Sequence, residues 1–456
     1  MQKGPETHLA ETLRQRIESG ELRAGAKLDS IRQVSQELGV SRYQVLAAYQ
    51  ELAGLGVVEA RHGSGFYVSS FARASGLVPR LAPSLDRLLD TALLIRGFVE
   101  PSYLLKCGSG ALPKEWLLEL GLHRHIRSVA AQPAANLYEY GTALGYVALR
   151  EAIQSRLIRR RITCMAEQVV LTTGISQGLE LVIRGLCHPG DLVFVESPAY
   201  YNLFGLLHLS GLRLRKIPRT SEGPDLEALE ALLNKGDIPR IFFLQSLLHN
   251  PTGSSLSPAA AHRILLLAEQ YDFLIVEDDA YGDLAEEQDL RLAALDGLRR
   301  VIYLSGFTKT LSANLRVGYA VGGEALIDAL SRAKLLTSIA SSEFVERVVY
   351  RALTEGGYER VTTSLRHRLQ GAQEAWEKEL QRAGWLTFPG PRRGMFVWAR
   401  HPQWEDSVLL ARVAATAGFW LAPGSAFDPE RLLSPWVRFN VAYRSPALSA
   451  WLKHPR

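Results

Sequence analysis

The stretch VIYLSGFTKTLSANLR, residues 301–316, decides the fold of most of this chain. It opens with a short apolar run that is typical of a buried strand, and polar residues follow directly where that run ends. Lys309 therefore lies at the carboxyl end of a predicted strand, with Arg316 seven residues further on. In parallel α/β sheets, ligands bind in the crevice at this end of the strands.

Similar apolar runs precede this stretch. From about residue 165 the chain reads VVLTT, DLVFVES, IFFLQS and FLIVEDD, and helix-sized segments such as SQGLELVIRGL separate these runs. The alternation predicts an α/β fold with a mainly parallel sheet between layers of helices.

Each predicted strand ends in a polar cluster. After the first strand, Gly174 leads into a helix start whose amide groups can hold a phosphate. Tyr200 could stack on a flat ring, and Asn250 lies in the turn HNPTG. Asp278 belongs to the carboxylate run Glu277-Asp278-Asp279, where an unpaired charge would be costly, so that we expect a cationic partner. Each cluster alone is a weak signal.

Together the clusters match the needs of pyridoxal 5'-phosphate, which requires an anion cradle, a stacking ring, a carboxylate, hydroxyl or amide donors, and an amine. From about residue 105 to its carboxyl end the chain resembles the fold-type I, class I/II aminotransferases. The resemblance implies a homodimer, a smaller C-terminal α/β subdomain, and a role for each of the following residues: Lys309 forms the Schiff base; Asp278 pairs with the ring nitrogen; Asn250 and Tyr281 bind the ring oxygen; Tyr200 stacks on the ring; Gly174, Ile175, Ser176, Thr308 and Arg316 hold the phosphate; Tyr140 reaches the phosphate of a partner subunit; and Arg438 binds a substrate carboxylate.

Two positions depart from that family. Gly306 stands three residues before the lysine, where these enzymes usually carry a phosphate-binding serine, and Ser305 lies one step earlier. Arg393 replaces the first glycine of the usual Gly-Gly pair and would place a charge near the substrate side. These departures bear on substrate preference and turnover more than on cofactor binding.

The first 70 residues have a different pattern. Leu9, Leu13 and Ile17 recur at helical spacing before a stop at Gly20. Two shorter helices are predicted to open with capping boxes, Ser30 to Gln33 and Ser41 to Gln44, and to pack through two apolar sets, Ile31, Val34 and Leu38 against Val45, Tyr49 and Leu52. A short hairpin with a glycine-rich tip follows. This is a winged helix-turn-helix pattern.

The segment from KLDSIRQVSQELGVSRYQVLAAYQEL to GVVEARHGSGFYV resembles the GntR-family winged helix, with Asp29 where that family often has proline. By this resemblance the protein binds double-stranded DNA. The residues that open the recognition helix would reach bases or phosphates, and they are Ser41, Arg42, Tyr43 and Gln44. Four further residues would contact the DNA backbone or the minor groove, namely Arg32, Arg61, Gly63 and Gly65.

We therefore predict three regions: residues 1–70 as the DNA-binding domain, 71–104 as a linker with one helix candidate (SLDRLLDTALLIRGF), and 105–456 as the cofactor-binding domain. This layout resembles the MocR subfamily of GntR-type transcription regulators.

Composition limits the function classes. No apolar run reaches the roughly 18 residues of a membrane span, and no apolar signal-peptide core is present, so we expect a cytoplasmic protein without a membrane partner. The three cysteines have no pattern typical of a metal site or of a disulfide framework. The net charge of +5 permits nucleic-acid binding without demanding it.

Four functions remain open. The first is a regulator that responds to an amino acid or amine through the bound cofactor. The second is a working aminotransferase with an appended DNA-binding head. The third is a sensor of pyridoxal phosphate itself, in which Arg438 has little importance. A body without any cofactor function is a fourth and less favoured alternative.

Overall fold

The computed structural model describes residues 9–10, 12–13, 16–17, 21–22, 25–54, 57–61, 64–68, 103–132 and 138–455. The chain divides into two compact units, Met1–Asp86 and Arg87–Arg456. The predicted linker and its helix candidate lie outside the described residues apart from residues 103 and 104.

In the described part of the first unit, residues 9–10, 12–13 and 16–17 are helical. They are followed by the helices α1 (Ile31–Leu38) and α2 (Arg42–Gly54) and by a hairpin of β1 (Val58–Arg61) and β2 (Gly65–Val68). The two strands are antiparallel, and Lys27 makes a further antiparallel bridge to Tyr67. Leu9, Leu13 and Ile17 are buried in the same apolar core, which confirms the predicted apolar face, whereas the stop at Gly20 lies outside the described residues.

The helix starts confirm one capping box and half of the other. At Ser41 the box is complete, because the Ser41 hydroxyl accepts from the Gln44 amide and the Gln44 side chain accepts from the Ser41 amide. At Ser30 the hydroxyl caps the Gln33 amide, but the Gln33 side chain donates to Glu37 instead of reaching back.

One predicted core residue of this unit was wrong. Leu38 is 56% exposed. It is the last residue of α1, the chain turns away at Gly39 with φ 66°, and Val40 packs against the core in its place.

The second unit is built on an eight-stranded sheet. Its strands are β3 (Val169–Thr172), β4 (Leu192–Ser197), β5 (Arg213–Thr220), β6 (Gly223–Pro224), β7 (Ile241–Leu244), β8 (Leu274–Asp279), β9 (Val301–Gly306) and β10 (Gly318–Val321). Their order is β3-β10-β9-β8-β7-β4-β5-β6. Pairings from β9 through β8, β7 and β4 to β5 are parallel, and β10 is antiparallel to both of its neighbours. The mainly parallel sheet is confirmed, while β5, β6 and β10 were not predicted.

Helices cover both faces of this sheet, because alternate residues of each strand belong to opposite apolar cores. In β9, Val301 and Tyr303 belong to one core, whereas Ile302 and Leu304 belong to the other. The helices of the unit are α3 (Leu122–Ala130), α4 (Val147–Arg159), α5 (Gly174–Leu186), α6 (Tyr201–Leu209), α7 (Leu226–Asn234), α8 (Pro258–Gln270), α9 (Leu292–Asp296), α10 (Glu324–Ser338), α11 (Glu343–Thr354), α12 (Tyr358–Arg382), α13 (Ser407–Thr416) and α14 (Pro446–Lys453).

A second, antiparallel sheet forms the smaller C-terminal part. It contains β11 (Leu386–Thr387), β12 (Phe396–Arg400), β13 (Ala422–Pro423) and β14 (Trp436–Asn440), in the order β11-β12-β14-β13. Together with α12, α13 and α14 it gives the predicted α/β subdomain. Among the helices of the described residues, none is both long and apolar enough to cross a membrane.

Candidate functional site: a cavity at the carboxyl ends of the sheet

A cavity lies where the main strands end. It is lined by residues at the ends of β8 and β9 and by residues that follow β3, β4, β7, β8 and β9, namely Ile175, Ser176, Tyr200, Gln245, Asn250, Asp278, Ala280, Tyr281, Gly306, Thr308, Lys309 and Arg316. The structure thus brings together most of the cofactor-binding residues that the sequence singled out. It does so because parallel strands deliver their carboxyl ends to the same edge of a sheet.

Three glycines, Gly174, Gly306 and Gly318, pack closely together beside the start of α5, and Gly306 belongs to the lining of the cavity. We name these three residues the glycine floor. A Cβ atom on Gly318 would lie 2.7 Å from the carbonyl carbon of Gly174, and one on Gly306 would lie 2.8 Å from the Cα atom of Gly318. Gly306 therefore has a steric reason to replace the serine of related enzymes. The close approach places Arg316 against the same turn, where its Nη2 donates to the Thr173 carbonyl at 3.5 Å.

This corner has the chemistry of an anion site. The first amide groups of a helix have no partner within the helix, and the helix dipole makes its N-terminus positive. Ile175 and Ser176 lie in the first turn of α5, and the Arg316 guanidinium and the Thr308 hydroxyl belong to the same cavity lining. A phosphate group fits these donors.

The three consecutive carboxylates of β8 have different partners. Glu277 accepts from the amides of Leu292 and Ala293 at 2.9 and 2.8 Å, and Asp279 pairs with Arg291 at 2.9 Å. Both therefore have strong partners within the protein, although Asp279 Oδ1 has no hydrogen-bond partner among the described residues. Asp278 accepts only from the Ala280 amide among the hydrogen bonds of the described residues, at 3.0 Å, and it faces the cavity. Of the three, Asp278 is the carboxylate left for a ligand.

Burial raises the pKa of the Asp278 carboxyl to about 7, and the neighbouring Asp279 charge acts in the same direction. A cationic group bound in the cavity would lower this pKa again and hold the carboxylate in its charged form. The arrangement fits a pyridinium nitrogen.

Lys309 faces the same cavity as Asp278. Burial lowers the pKa of its ammonium group to about 8, and the positive charges of Arg438 and Arg316 contribute to the lowering. Its Nζ donates to the carbonyl of Gly110 at 2.7 Å. A lysine with a lowered pKa supplies the neutral amine that attacks a carbonyl carbon.

The ring-binding candidates surround these two groups. Tyr200 and Tyr281 line the cavity, and burial raises the pKa of both hydroxyls, so that they stay protonated donors at neutral pH. Asn250 is held by its backbone amide, which donates to the Gln245 side chain at 2.9 Å. Its side-chain oxygen accepts from Arg438, which leaves the side-chain NH₂ group as a donor.

Arg438 lies next to the cavity but does not line it. The side chain is 1% exposed, and its guanidinium packs over the rings of Phe396 and Phe427 at 4.6 and 4.9 Å. Its Nη1 donates to Asn250 at 2.7 Å and its Nη2 to the Gly108 carbonyl at 2.6 Å. Among the described residues, the buried Nε has no hydrogen-bond partner.

Two further predictions concern the surroundings of the cavity. Arg393 is paired with Asp289 at 2.9 Å and is not among the lining residues, and the expected charge on the substrate side stays a prediction. Tyr140 is 79% exposed, and its contact with a partner subunit stays a prediction.

The sequence reasoning missed Gln245, Ala280 and the loop around Gly108 and Gly110. Gln245 follows β7 directly, so its place at the end of an apolar run was a usable signal. The loop carried no such signal, because it approaches the cavity from a distant part of the chain. In the described part of the molecule, no group of three or more potential ligands is placed to hold a metal ion.

In the first unit, the predicted DNA contacts lie at the start of α2 and near it. Arg32, Arg42 and Tyr43 are exposed, Tyr43 by 78%. Ser41 and Gln44 bond to each other at the helix cap. Gly65 is exposed in β2 with φ 100°, whereas Gly63 and the Arg61 side chain lie outside what the structure describes.

The family comparison decides the identity of the larger unit: residues 109–450 match the model described as aminotransferase class I and II. The chain belongs to the aminotransferase class I and II family. Residues 5–68 match a second model, the bacterial regulatory proteins of the gntR family.

Similar proteins share this combination. The chain is 29% identical to the uncharacterized HTH-type transcriptional regulator YjiR of Escherichia coli, over 95% of this chain and 94% of that protein. It is also 29% identical to a protein of Rhizobium meliloti described as the probable rhizopine catabolism regulatory protein MocR, over 91% of this chain and 85% of that one.

A solved structure also matches the larger unit. The α-aminoadipate aminotransferase LysN of Thermus thermophilus, complexed with N-(5'-phosphopyridoxyl)-L-leucine, is 27% identical with a TM-score of 0.71, and the match covers 79% of this chain and 93% of LysN. The sequence-based assignment to the MocR subfamily is confirmed, and the chain is a DNA-binding transcription regulator with an aminotransferase-like body.

Proposed function

We propose that this regulator binds pyridoxal 5'-phosphate covalently through Lys309 and responds to a small amino compound that carries a carboxylate. The observation that carries the proposal is that Lys309 and Asp278 line the same cavity, with an anion-binding corner beside them. The matched aminotransferase LysN carries a phosphopyridoxyl group in its solved structure, which supports the same class of ligand here.

The residues of the cavity fit this cofactor. The glycine floor and the first turn of α5 suit its phosphate, and Arg316 supplies a positive charge there. Asp278 is left without a cationic partner and suits the ring nitrogen. Tyr281 and Asn250 offer donors for the ring oxygen, and Tyr200 offers a face for stacking. When bound, the cofactor supplies an electron-withdrawing ring and a carbon that reacts with amines.

The protein's own residues then determine what enters. Lys309 holds or releases a proton at Nζ near neutral pH because its pKa is lowered to about 8. Arg438 is the cation that can pair with a carboxylate in a bidentate manner. Its guanidinium and the amine of Lys309 both lie close to Gly110, because a Cβ atom on that residue would be 3.6 Å from Arg438 Nη2 and 3.8 Å from Lys309 Nζ. An α-amino acid has both complementary groups.

Two assembly proposals accompany this function. Tyr140 would complete the phosphate site of a partner subunit in a homodimer, and its 79% exposure leaves its ring available for that contact. The DNA interface would be formed by Arg32, Arg42 and Tyr43, together with Ser41, Gln44 and the wing. The domain bounds 1–70, 71–104 and 105–456 are likewise proposed.

The direct test of cofactor binding is an absorbance titration of the full-length protein with pyridoxal 5'-phosphate. We expect a band of the covalently bound cofactor that is abolished in Lys309→Ala and retained in the control variant Lys235→Ala, which removes an exposed lysine. Retention of that band in Lys309→Ala would contradict the proposal.

Amino-acid response is tested on the loaded protein by adding each common α-amino acid and, separately, a keto acid. A spectral shift without turnover supports a sensor. Sustained conversion supports the second candidate function, a working aminotransferase, which the presence of Lys309, Asp278 and Tyr281 in one cavity favours.

The third candidate is a sensor of pyridoxal phosphate itself, and the closed position of Arg438 favours it. Arg438→Gln distinguishes the candidates. Loss of the amino-acid response with intact cofactor binding supports an amino-acid sensor or enzyme, whereas unchanged regulation supports a sensor of the cofactor.

A further inference from the structure

Residues Gly108–Ala111, which we name the 108–111 loop, are held by side chains from the cavity and from β14. Arg438 Nη2 donates to the Gly108 carbonyl at 2.6 Å, and Lys309 Nζ donates to the Gly110 carbonyl at 2.7 Å. Asn440 Nδ2 donates to the carbonyls of Ser109 and Ala111, each at 2.9 Å. All four carbonyls of the loop thus accept from these three side chains.

The loop covers Arg438. Gly110 lies between the two cations, because a Cβ atom at that residue would be 3.6 Å from Arg438 Nη2 and 3.8 Å from Lys309 Nζ. With the loop in place Arg438 is 1% exposed. The loop thus shares in the burial of this guanidinium with Asn250, Phe396 and Phe427, and it is the part of that cover that holds Arg438 Nη2.

The guanidinium itself points to such a ligand. Its Nε is buried without a hydrogen-bond partner among the described residues, and buried donors of this kind are uncommon. A bidentate carboxylate takes two donors of an arginine. Nη1 is engaged by Asn250, so that the remaining pair is Nε together with Nη2, and Nη2 is the atom that now holds Gly108.

Carboxylate binding thus competes with the hydrogen bond from Arg438 Nη2 to the Gly108 carbonyl. The loop is continuous with residues 105–107, which run beside Phe419 and Trp420 like a short strand. The Gly108 amide donates to the Trp420 carbonyl at 2.8 Å, and Leu105 bridges to Phe419. Along the chain, this segment directly follows residues 71–102, which connect it to the DNA-binding unit.

We propose that the 108–111 loop is the gate over Arg438, and that a carboxylate-bearing amino compound opens it by taking Nε and Nη2 of Arg438 from Gly108. This inference rests on the proposed function, because it needs a cofactor-loaded site that accepts an amino acid.

The test is hydrogen exchange of the full-length, cofactor-loaded protein, read at the peptide that contains residues 105–111. The probe is the common α-amino acid that gives the largest spectral shift, and its methyl ester is the matched ligand, since the ester retains the amine but lacks the carboxylate. We expect exchange at this peptide to be at least about tenfold faster with the amino acid, and little changed with the ester. Peptides of β9 serve as the internal control.

A variant provides an independent route to the open gate. Asn440→Asp keeps the acceptor for the Ala442 amide but removes both donors to the loop. We expect rapid exchange at residues 105–111 without any amino acid. Asn234→Asp is the matched control, because Asn234 is exposed on α7 and accepts from Tyr271, a bond that aspartate preserves.

The outcomes separate this inference from the function beneath it. A spectral shift by the amino acid with unchanged exchange at residues 105–111 overturns the gate and leaves the proposed function standing. Equal acceleration by the amino acid and by its ester also overturns it, because the carboxylate would then have no part. If no amino acid shifts the spectrum of the loaded protein, the proposed response fails and the gate fails with it.

Discussion

The lowered pKa of Lys309 predicts how fast the cofactor attaches at each pH. Only the neutral amine reacts with the carbonyl carbon of the cofactor. With a pKa of about 8 instead of 10.5, about one tenth of the side chain is neutral at pH 7, which is roughly 300 times the neutral fraction of an ordinary lysine. Burial is the main cause of this difference, and the nearby arginines add to it.

The assay is the rate of covalent attachment after cofactor-free protein is mixed with pyridoxal 5'-phosphate, followed by absorbance over a range of pH. The ammonium form predominates below the pKa, so we expect the rate to rise about tenfold per pH unit up to a pH of about 8 and to level off above it. The control amine is Nα-acetyl-lysine, whose only free amine is that of the side chain, and its rate should continue to rise until a pH of about 10.4.

Two charge variants test the direction in which each neighbouring charge shifts the pKa of Lys309. Arg438 lowers the pKa of Lys309, so Arg438→Gln should move the midpoint of the profile to higher pH. Asp278 raises that pKa, so Asp278→Asn should move the midpoint to lower pH. The midpoint is compared rather than the plateau, because both variants also change the cofactor site. A wild-type profile that rises without levelling until pH 10, or midpoints that move in the same direction, would refute the reasoning.

Three further predictions concern the glycine floor, the gate and the DNA-binding unit. Gly318→Ala places a methyl group 2.7 Å from the backbone of Gly174, so we expect at least about tenfold weaker cofactor binding and a loss of about 1–3 kcal/mol of stability. Titration and thermal unfolding measure both, with Gly371→Ala, which has open space, as the control. Gly110→Ala meets its neighbours only at ordinary contact distances, so cofactor binding should persist in absorbance titrations while amino-acid affinity falls about tenfold or more, since the methyl group fills the space beside the two cations. Unchanged amino-acid affinity would show that the ligand does not pass there. Arg32→Ala should weaken DNA binding for all sequences and reduce the slope of log affinity against log salt by about 1 in a mobility-shift series, and an unchanged slope would remove Arg32 from the phosphate contacts.

The amino-acid sequence by itself determined the order of strands and helices along the chain and the chemistry at the strand ends. The runs that became β3, β4, β7, β8 and β9 are short, apolar and followed by polar clusters, and these local signals do not depend on tertiary contacts. The serine caps of α1 and α2 are equally local. For the same reason, the identities of Lys309 and Asp278 as partners in one cavity were predictable.

The tertiary structure decided which groups remain available. The local pattern alone did not distinguish Glu277, Asp278 and Asp279, and the resemblance to the aminotransferases singled out Asp278. The structure adds that Glu277 is held by the amides of α9 and that Asp279 is paired with Arg291. The antiparallel strand β10 also accounts for the glycine at position 306, because a side chain there would collide with the backbone of Gly318 on β10. Such a contact between neighbouring strands has no local signature in the sequence.

Long-range contacts also decided the position of Arg438 and of its cover. The 108–111 loop and Arg438 are more than three hundred residues apart in sequence, yet they share a hydrogen bond of 2.6 Å. Local patterns record what a residue can do, since they depend on its own chemistry and its near neighbours. Which partner it finds depends on how the whole sheet packs, and for Arg438 that partner is a loop from the opposite end of the same unit.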